Sequence, residues 1–266
     1  MSTRKGVFPA KKKDGSVYYR ASVTHHQKHI SLGSFETEQS AGDAYCEARA
    51  LLSTPSLCFC TDHQPRALSF EKYVTLMNFR DNHYYFGNPI YAYPRYFLYF
   101  WSREIVFKFD TDDLFYYASH KIMKRGGHYF VADYGMQVSL CSRYGIRPYA
   151  VAGRDYRFIN GDPYDFRYEN IHIINRYHGV RLIQKSGHAM YRAVIHIRSN
   201  YVIGVFRTET EAAIAYNKAA DILTKNGFTR NFIQNYIDNV TPAEYAAIYE
   251  SVVIPDKLER LTPPPS

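Results

Sequence analysis

YRAVIHIRSNYVIGVFRTETEAAIAYNKAADIL, residues 191–223, decides the fold, because the chain carries a second version of it in YRASVTHHQKHISLGSFETEQSAGDAYCEARALL, residues 19–52. Setting Phe35 on Phe206 pairs Gly33 with Gly204, Thr37 with Thr208, Glu38 with Glu209, Ala41 with Ala212, Ala44 with Ala215 and Tyr45 with Tyr216, all at one offset of 171. Tyr19-Arg20-Ala21 matches Tyr191-Arg192-Ala193 at an offset of 172. The one-residue difference falls between two expected strands, where a hairpin turn absorbs it. A repeat of this kind marks one supersecondary unit used twice.

In the later copy Tyr191, Ala193, Ile195 and Ile197 alternate with Arg192, Val194, His196 and Arg198. That is the period-two pattern of a strand with one buried face, and the opposite face is mostly basic. Ser199-Asn200 turns the chain, Tyr201-Val202-Ile203 supplies a paired strand, and Gly204 is expected to end it. Thr208 followed by Glu211 is a capping box, opening a helix whose Ala212, Ala215, Ala219, Ile222 and Leu223 share a face. Asn226-Gly227 stops that helix. The earlier copy follows the same logic: Gly6-Val7, a turn from Lys11 to Gly15, strands over 19–24 and 30–32, and a helix carrying Ala41, Ala44, Tyr45, Ala48, Leu51 and Leu52. Each copy is expected to be a three-stranded antiparallel sheet backed by one helix.

The order Gly-Val, Tyr-Arg-Ala, Leu/Ile-Gly-x-Phe-x-Thr-Glu, then Ala-x-x-Ala-Tyr resembles the DNA-binding domain of plant ethylene-response factors, whose relatives are also fused to phage and bacterial HNH homing endonucleases. The resemblance implies that the exposed sheet face enters the major groove of double-stranded DNA. Its groove-facing positions would be Arg20, Ser22, Thr24, His29 and Ser31 in the earlier copy. In the later copy they would be Arg181, Arg192, Val194, His196 and Asn200, with Arg198 beside them. The family's tryptophans on this face are absent from both copies, so its base preference does not carry over.

Across the 266 residues, 33 lysines and arginines outnumber 25 acidic residues, a net charge of +8. The excess is concentrated in the repeats: residues 1–52 hold 8 basic and 5 acidic side chains, 177–237 hold 8 and 3, and 238–266 hold 2 and 5. This fits a polyanionic partner contacted by the repeats. No stretch reaches the length of apolar sequence that a membrane helix needs, and the start has no apolar run for a secretory signal. Four cysteines form no disulfide framework, so the expected location is a reducing cytoplasm, in association with the nucleoid. Cys58-Phe59-Cys60 with His63 lacks zinc-knuckle spacing and is read as ordinary thiols.

Between the repeats, 54–65 is expected to be a linker leaving the first module. Residues 68–100 are so rich in tyrosine and phenylalanine that they are expected to form a core, although interleaved Arg80 and Arg95 would also suit a base-stacking platform. Ile105–Phe109 alternates as a strand and Asp110-Thr111-Asp112-Asp113 reads as a helix start. Lys124-Arg125-Gly126-Gly127 reads as a hairpin turn between strands over 116–123 and 128–132, and 136–144 has helical spacing.

Residues 155–175, DYRFINGDPYDFRYENIHIIN, resemble the HNH nuclease signature through Ile159-Asn160-Gly161-Asp162, Asp165, Arg167 and Asn170. In that family an imidazole activates water and a carboxylate holds a divalent metal. The corresponding positions here are Phe158 and Arg157, neither of which can do that chemistry. His172 or His178 as base, with Asp155 as ligand, would be the elements of a rearranged magnesium-dependent centre. Asp162, Asp165 and Asn170 otherwise read as turn and loop residues, and Lys11, Lys12, Lys13, Lys28, Arg154, Arg157, Arg167 and Arg176 as candidate phosphate contacts.

The expected class is α+β: two three-stranded antiparallel sheet-plus-helix modules flanking a degenerate ββα-type, HNH-like domain. The expected limits are a DNA-binding module over 1–53, an aromatic-rich segment over 54–104, the HNH-like domain over 105–176, a second module over 177–237 and a helical tail over 238–266. Phe232, Ile233, Tyr236 and Ile237 are expected to continue a helical face, and Thr241 to cap another helix. The functional expectation is a non-catalytic, sequence-specific double-stranded DNA-binding regulator, with no catalytic residue, metal ligand or cofactor assigned. Its rivals are an HNH-type endonuclease using magnesium and a module that binds a protein partner.

Overall fold

In the computed structural model residues 4–264 are described, and the class is α+β. The chain forms two compact units: one built from residues up to Leu140 with Asp162–Asn170, the other from Cys141–Gly161 with the chain from Ile171 onward. Residues 105–176 therefore contribute to both.

The first unit opens with β1 (Val7–Lys11), β2 (Val17–His25) and β3 (Lys28–Phe35), an antiparallel sheet in that order. Helix α1 (Glu38–Ser53) starts where expected, with Thr37 Oγ1 accepting from the Ser40 amide at 3.1 Å. Ala41, Ala44 and Ala48 are fully buried against Ala21, Val23, Ile30 and Leu32. Their small side chains let the helix lie close to the sheet.

The segment after α1 does not behave as a linker. Arg80, on α2 (Phe70–Asn82), donates to the carbonyls of Leu51, Thr54 and Leu57. Phe59 stacks on Tyr91 at 3.8 Å, and the Cys60 amide donates to the Tyr73 hydroxyl. These contacts join the first module and the aromatic segment in one hydrophobic core. That core continues into the sheet of β4 (Ile90–Ala92), β5 (Tyr96–Phe100) and β6 (Val106–Asp110). The aromatic run is core, as expected: Tyr73, Phe97, Tyr99 and Phe100 are buried, and the Tyr99 hydroxyl accepts from the Ile122 amide at 3.0 Å.

Helix α3 (Leu114–Ser119) follows a short 3-10 turn over Thr111–Asp113, occupying much of the stretch read as a strand. A three-stranded sheet comes next: β7 (Ile122–Arg125), β8 (His128–Asp133) and β9 (Met136–Ser139), with the Gly126-Gly127 turn where expected. The expected helix over 136–144 shrinks to α4 (Leu140–Arg143), because Met136–Ser139 pairs with Phe130–Asp133 instead. Ladder hydrogen bonds to a preformed neighbour outweigh four residues of weak helical spacing. Asp162–Asn170 lies along β6: the Lys108 amide donates to Tyr164 O and the Phe166 amide to Lys108 O, and Phe166 is buried beside Phe107 and Phe109.

In the second unit β10 (Tyr156–Phe158) pairs with β11 (Ile171–Ile173). The second module follows: β12 (Val180–Lys185), β13 (His188–His196) and β14 (Asn200–Phe206), backed by α5 (Glu209–Lys225). Both halves of the Thr208–Glu211 capping box are present. Gly204 does not end its strand. It sits opposite Ala193 where the register shifts, and β14 runs on to Phe206. The equivalent shift in the first module follows Ala21, opposite Gly33, so both copies conserve a bulge at the same place. Residues 228–240 are irregular rather than helical, although Phe232 and Ile237 are buried beneath α5. Helices α6 (Pro242–Ser251), capped by Thr241 and Glu244 as expected, and α7 (Asp256–Glu259) complete the unit. Among the described residues no helix is long and apolar enough to cross a membrane.

Candidate nucleic-acid interface

Strand alternation fixes which side chains the second sheet offers to solvent. Ala193 and Ile195 are fully buried under α5, which turns Arg192, Val194 and His196 outward. Arg181 on β12 is the cross-strand partner of Arg192, and Asn200 on β14 is the partner of His196. His196 Nδ1 and Asn200 Oδ1 are hydrogen-bonded at 3.0 Å. Arg181, Arg192, His196, Arg198 and Asn200 are exposed and Val194 is half-buried, so the structure gathers these sequence-predicted positions on one face and its adjoining turn. Neither Arg181 nor Arg192 has an ion-pair partner among the described residues. Like charges directly opposite on neighbouring strands are destabilising.

The first module presents the same face with less charge. Arg20 is exposed and donates to the hydroxyl of Tyr18 at 2.8 Å. Thr24 Oγ1 and His29 Nδ1 lie 3.5 Å apart, the counterpart of the His196–Asn200 pair. Ser31 is exposed, but Ser22 is buried at 8% exposure, with its amide donating to the Gly6 carbonyl at 2.9 Å. Ser22 is therefore not available to a groove. Lys11, Lys12, Lys13 and Lys28 are exposed, with Lys28 Nζ 5.7 Å from the centre of the Tyr85 ring.

The candidate phosphate contacts in the middle of the chain separate into engaged and open groups. Arg167 forms a two-pronged pair with Asp165, at 2.9 and 2.7 Å, and a third contact with Glu169 at 2.6 Å. Arg176 pairs with Asp238 at 3.0 Å. Arg157 is exposed on β10, opposite His172. Arg154 lines a cleft that opens on the second sheet's exposed face.

That cleft, about 520 Å³, is lined by Arg147, Arg154, His178, Arg181 and Arg230 along with His196 and Asn200, and no carboxylate lines it. Its base is organised by Asp155, only 1% exposed. The Asp155 carboxylate accepts from Arg154 at 2.7 Å, Arg147 at 3.1 Å, the Val151 amide at 2.8 Å and Asn175 Nδ2 at 3.1 Å. Burial alone would push this carboxyl upward. The hydrogen bonds from Arg154 and Val151 and the charge of Arg147 outweigh burial and hold it at about 2. His178 is held below the ordinary histidine value by burial and by the charges of Arg147 and Arg230. Asp155 is thus engaged by arginines as a structural anchor.

The turn and loop over 159–170 are held by their own polar side chains. Asp162 Oδ1 accepts from the Tyr164 amide at 2.9 Å, and Asn170 Nδ2 donates to the Asp165 carbonyl at 2.8 Å. Phe158 and Arg157 occupy β10. Among the described residues no group of three or more His, Cys, Asp or Glu side chains is placed to hold a metal ion.

Sequence reasoning missed Arg147 and Arg230. Both lie in irregular segments, where a lone arginine carries no periodic signal, and only the folded chain brings them beside the sheet. Comparison with protein-family models, with curated proteins and with solved structures returned no match.

Proposed function

We propose that the chain is a non-catalytic, sequence-specific double-stranded DNA-binding protein, acting as a regulator of transcription or of a mobile element. The observation that carries this reading is the unpaired Arg181–Arg192 couple on the exposed face of the second sheet. Two guanidiniums set side by side without a carboxylate favour a polyanion, and arginine forks suit guanine edges as well as phosphates. Asn200, bonded to His196, adds an amide of the kind that recognises adenine. A second module with the same architecture supports avidity for a composite site. Phe158 and Arg157, at the positions where the nuclease family has its base and ligand, support binding without hydrolysis.

The test is selection from a random duplex pool, followed by anisotropy titration of the selected duplex with wild type and Arg192→Ala. A defined motif, with loss of base preference at one or two positions in the variant, supports the reading. A pool that stays random after repeated rounds contradicts sequence-specific recognition.

A further inference from the structure

The sheet face accounts for Arg181, Arg192, His196 and Asn200, but not for the cationic wall beside it. Arg147 has 15% of its side chain exposed, and its Nη2 is bound to Asp155 while its Nε is buried without a hydrogen-bond partner. Arg154 is fixed by the other oxygen of the same carboxylate. Arg230 is held by a bond from Nη1 to the Ile197 carbonyl at 2.9 Å. His178 is clamped through its backbone: its amide donates to Asn235 Oδ1 at 2.6 Å, and its carbonyl accepts from Asn235 Nδ2 at 3.0 Å. Each group is thus positioned before any ligand arrives. Three arginines converge with one carboxylate between them, which leaves two positive charges uncompensated in a concave, partly desolvated space, and an open buried donor makes the arrangement costlier still. Tyr149 stands on the rim, 82% exposed, with its backbone in the left-handed region at φ 63°. An exposed ring beside guanidiniums suits packing on a sugar or base.

We propose that Arg147, Arg154 and Arg230 form a preorganised seat for one phosphate of the DNA backbone, separate in role from the sheet residues that read bases. The inference rests on the DNA-binding reading and deepens it: the seat positions the duplex, and the sheet face specifies its sequence. A phosphate in the cleft would take the guanidinium N–H groups of Arg147, Arg154 and Arg230 that Asp155 and the Ile197 carbonyl leave uncommitted. His178, facing Arg147 and Arg230 in the same cleft, lends a further donor.

The experiment compares wild type with Arg147→Gln and Arg230→Gln. Arg230→Gln serves as the safer variant, because Arg230 is exposed and takes no part in anchoring Asp155. Affinity for the selected duplex and for a scrambled duplex is measured across a salt series, and calorimetry is run with pyrophosphate and with ATP. Each variant is expected to flatten the plot of log affinity against log salt by about 1. The ratio of selected to scrambled affinity stays unchanged, and pyrophosphate binding weakens by about fivefold or more. Salt slopes equal to wild type in both variants overturn the seat and leave the sheet-reading function standing. ATP bound far more tightly than duplex and pyrophosphate, and lost in both variants, would assign the cleft to a free nucleotide and overturn its assignment to the DNA backbone. Pyrophosphate binding that depends on Arg147 and Arg230, in a protein that binds no duplex, would remove the DNA reading while keeping the phosphate chemistry. Binding of none of these probes removes both.

Discussion

Tyr216 packs its ring against Gly179 so closely that a β-carbon on that glycine would overlap the ring edge and lie 2.6 Å from the Val194 carbonyl oxygen. Tyr45 and Gly6 repeat the relationship, with the Ser22 carbonyl 2.7 Å from the same imagined carbon. Both glycines have left-handed backbones, φ 73° and 75°, and each accepts an amide hydrogen bond from the central strand, at Val194 and at Ser22, beside the point where the third strand shifts register. The Gly-Val that opens each repeat is therefore a packing requirement. It lets the first strand pass over the helix tyrosine and extends its pairing with the central strand by one more hydrogen bond. Gly179→Ala is expected to destabilise the second module by about 3 kcal/mol, from left-handed strain together with overpacking. Tyr216→Ala removes a buried ring and is itself destabilising, but in the double variant it relieves the ring overlap and leaves the carbonyl contact, so the combined loss is smaller than the sum of the two single losses. Hydrogen exchange of the β12–β14 amides in the three variants measures this directly.

Asp155 sets a pH limit on the second unit. Its folded-state carboxyl lies at about 2, below the ordinary 3.8, so its stabilisation is fully present above the ordinary value and is lost as pH falls through about 2. The shift corresponds to something on the order of 2 kcal/mol. Asp155→Asn, which leaves Arg147 and Arg154 without their counter-ion, is expected to cost about 3 kcal/mol at neutral pH. The stability gap between wild type and variant should narrow by about 2 kcal/mol between about pH 5 and about pH 1, followed by denaturant titration with a probe in the second unit. A gap independent of pH would mean that the carboxylate's charge is not what anchors the arginines.

Arg80 is expected to matter for folding and not for DNA. Its guanidinium satisfies carbonyls at the end of α1 and just beyond it, a task that residue cannot share with a phosphate. Arg80→Ala should lower the stability of the first unit by about 2 kcal/mol and leave the salt slope of DNA binding unchanged. Thermal unfolding and anisotropy on the same preparation check both halves.

Supercoiled plasmid incubated with magnesium should remain uncut by wild type. His172 is exposed on β11 opposite Arg157, and the carboxylate nearest in sequence to β10, Asp155, already carries two arginines. Nicking by wild type that His172→Ala or His178→Ala abolishes would establish a rearranged nuclease centre in place of the binding role.

The repeats were legible because their signals are local: period-two alternation, capping threonines and small alanines on a helix face all act within a few residues. Gly204 is ambiguous for a related reason. A glycine in a strand signals either an ending or a bulge, and only the pairing partner Ala193 distinguishes them. Met136–Ser139 became a strand through a neighbour that spacing alone does not reveal, and Phe59 was drawn from an apparent linker into the core by Tyr91 and Tyr73. The sheet's basic face followed from alternation. The cleft beside it did not, because Asp155 gathers Arg147 and Arg154 through contacts of folded loops, and Arg230 arrives from an irregular segment beyond α5.

The central claim is that the face of β12–β14 reads duplex DNA. Its most direct test is the affinity of the wild-type chain for its selected duplex across a salt series, alongside Arg181→Ala/Arg192→Ala. The account predicts a steep fall of affinity with salt in the wild type, and in the double variant a loss of about 2–4 kcal/mol on the selected duplex with discrimination against scrambled DNA largely gone. A double variant that binds and discriminates as well as wild type would contradict it.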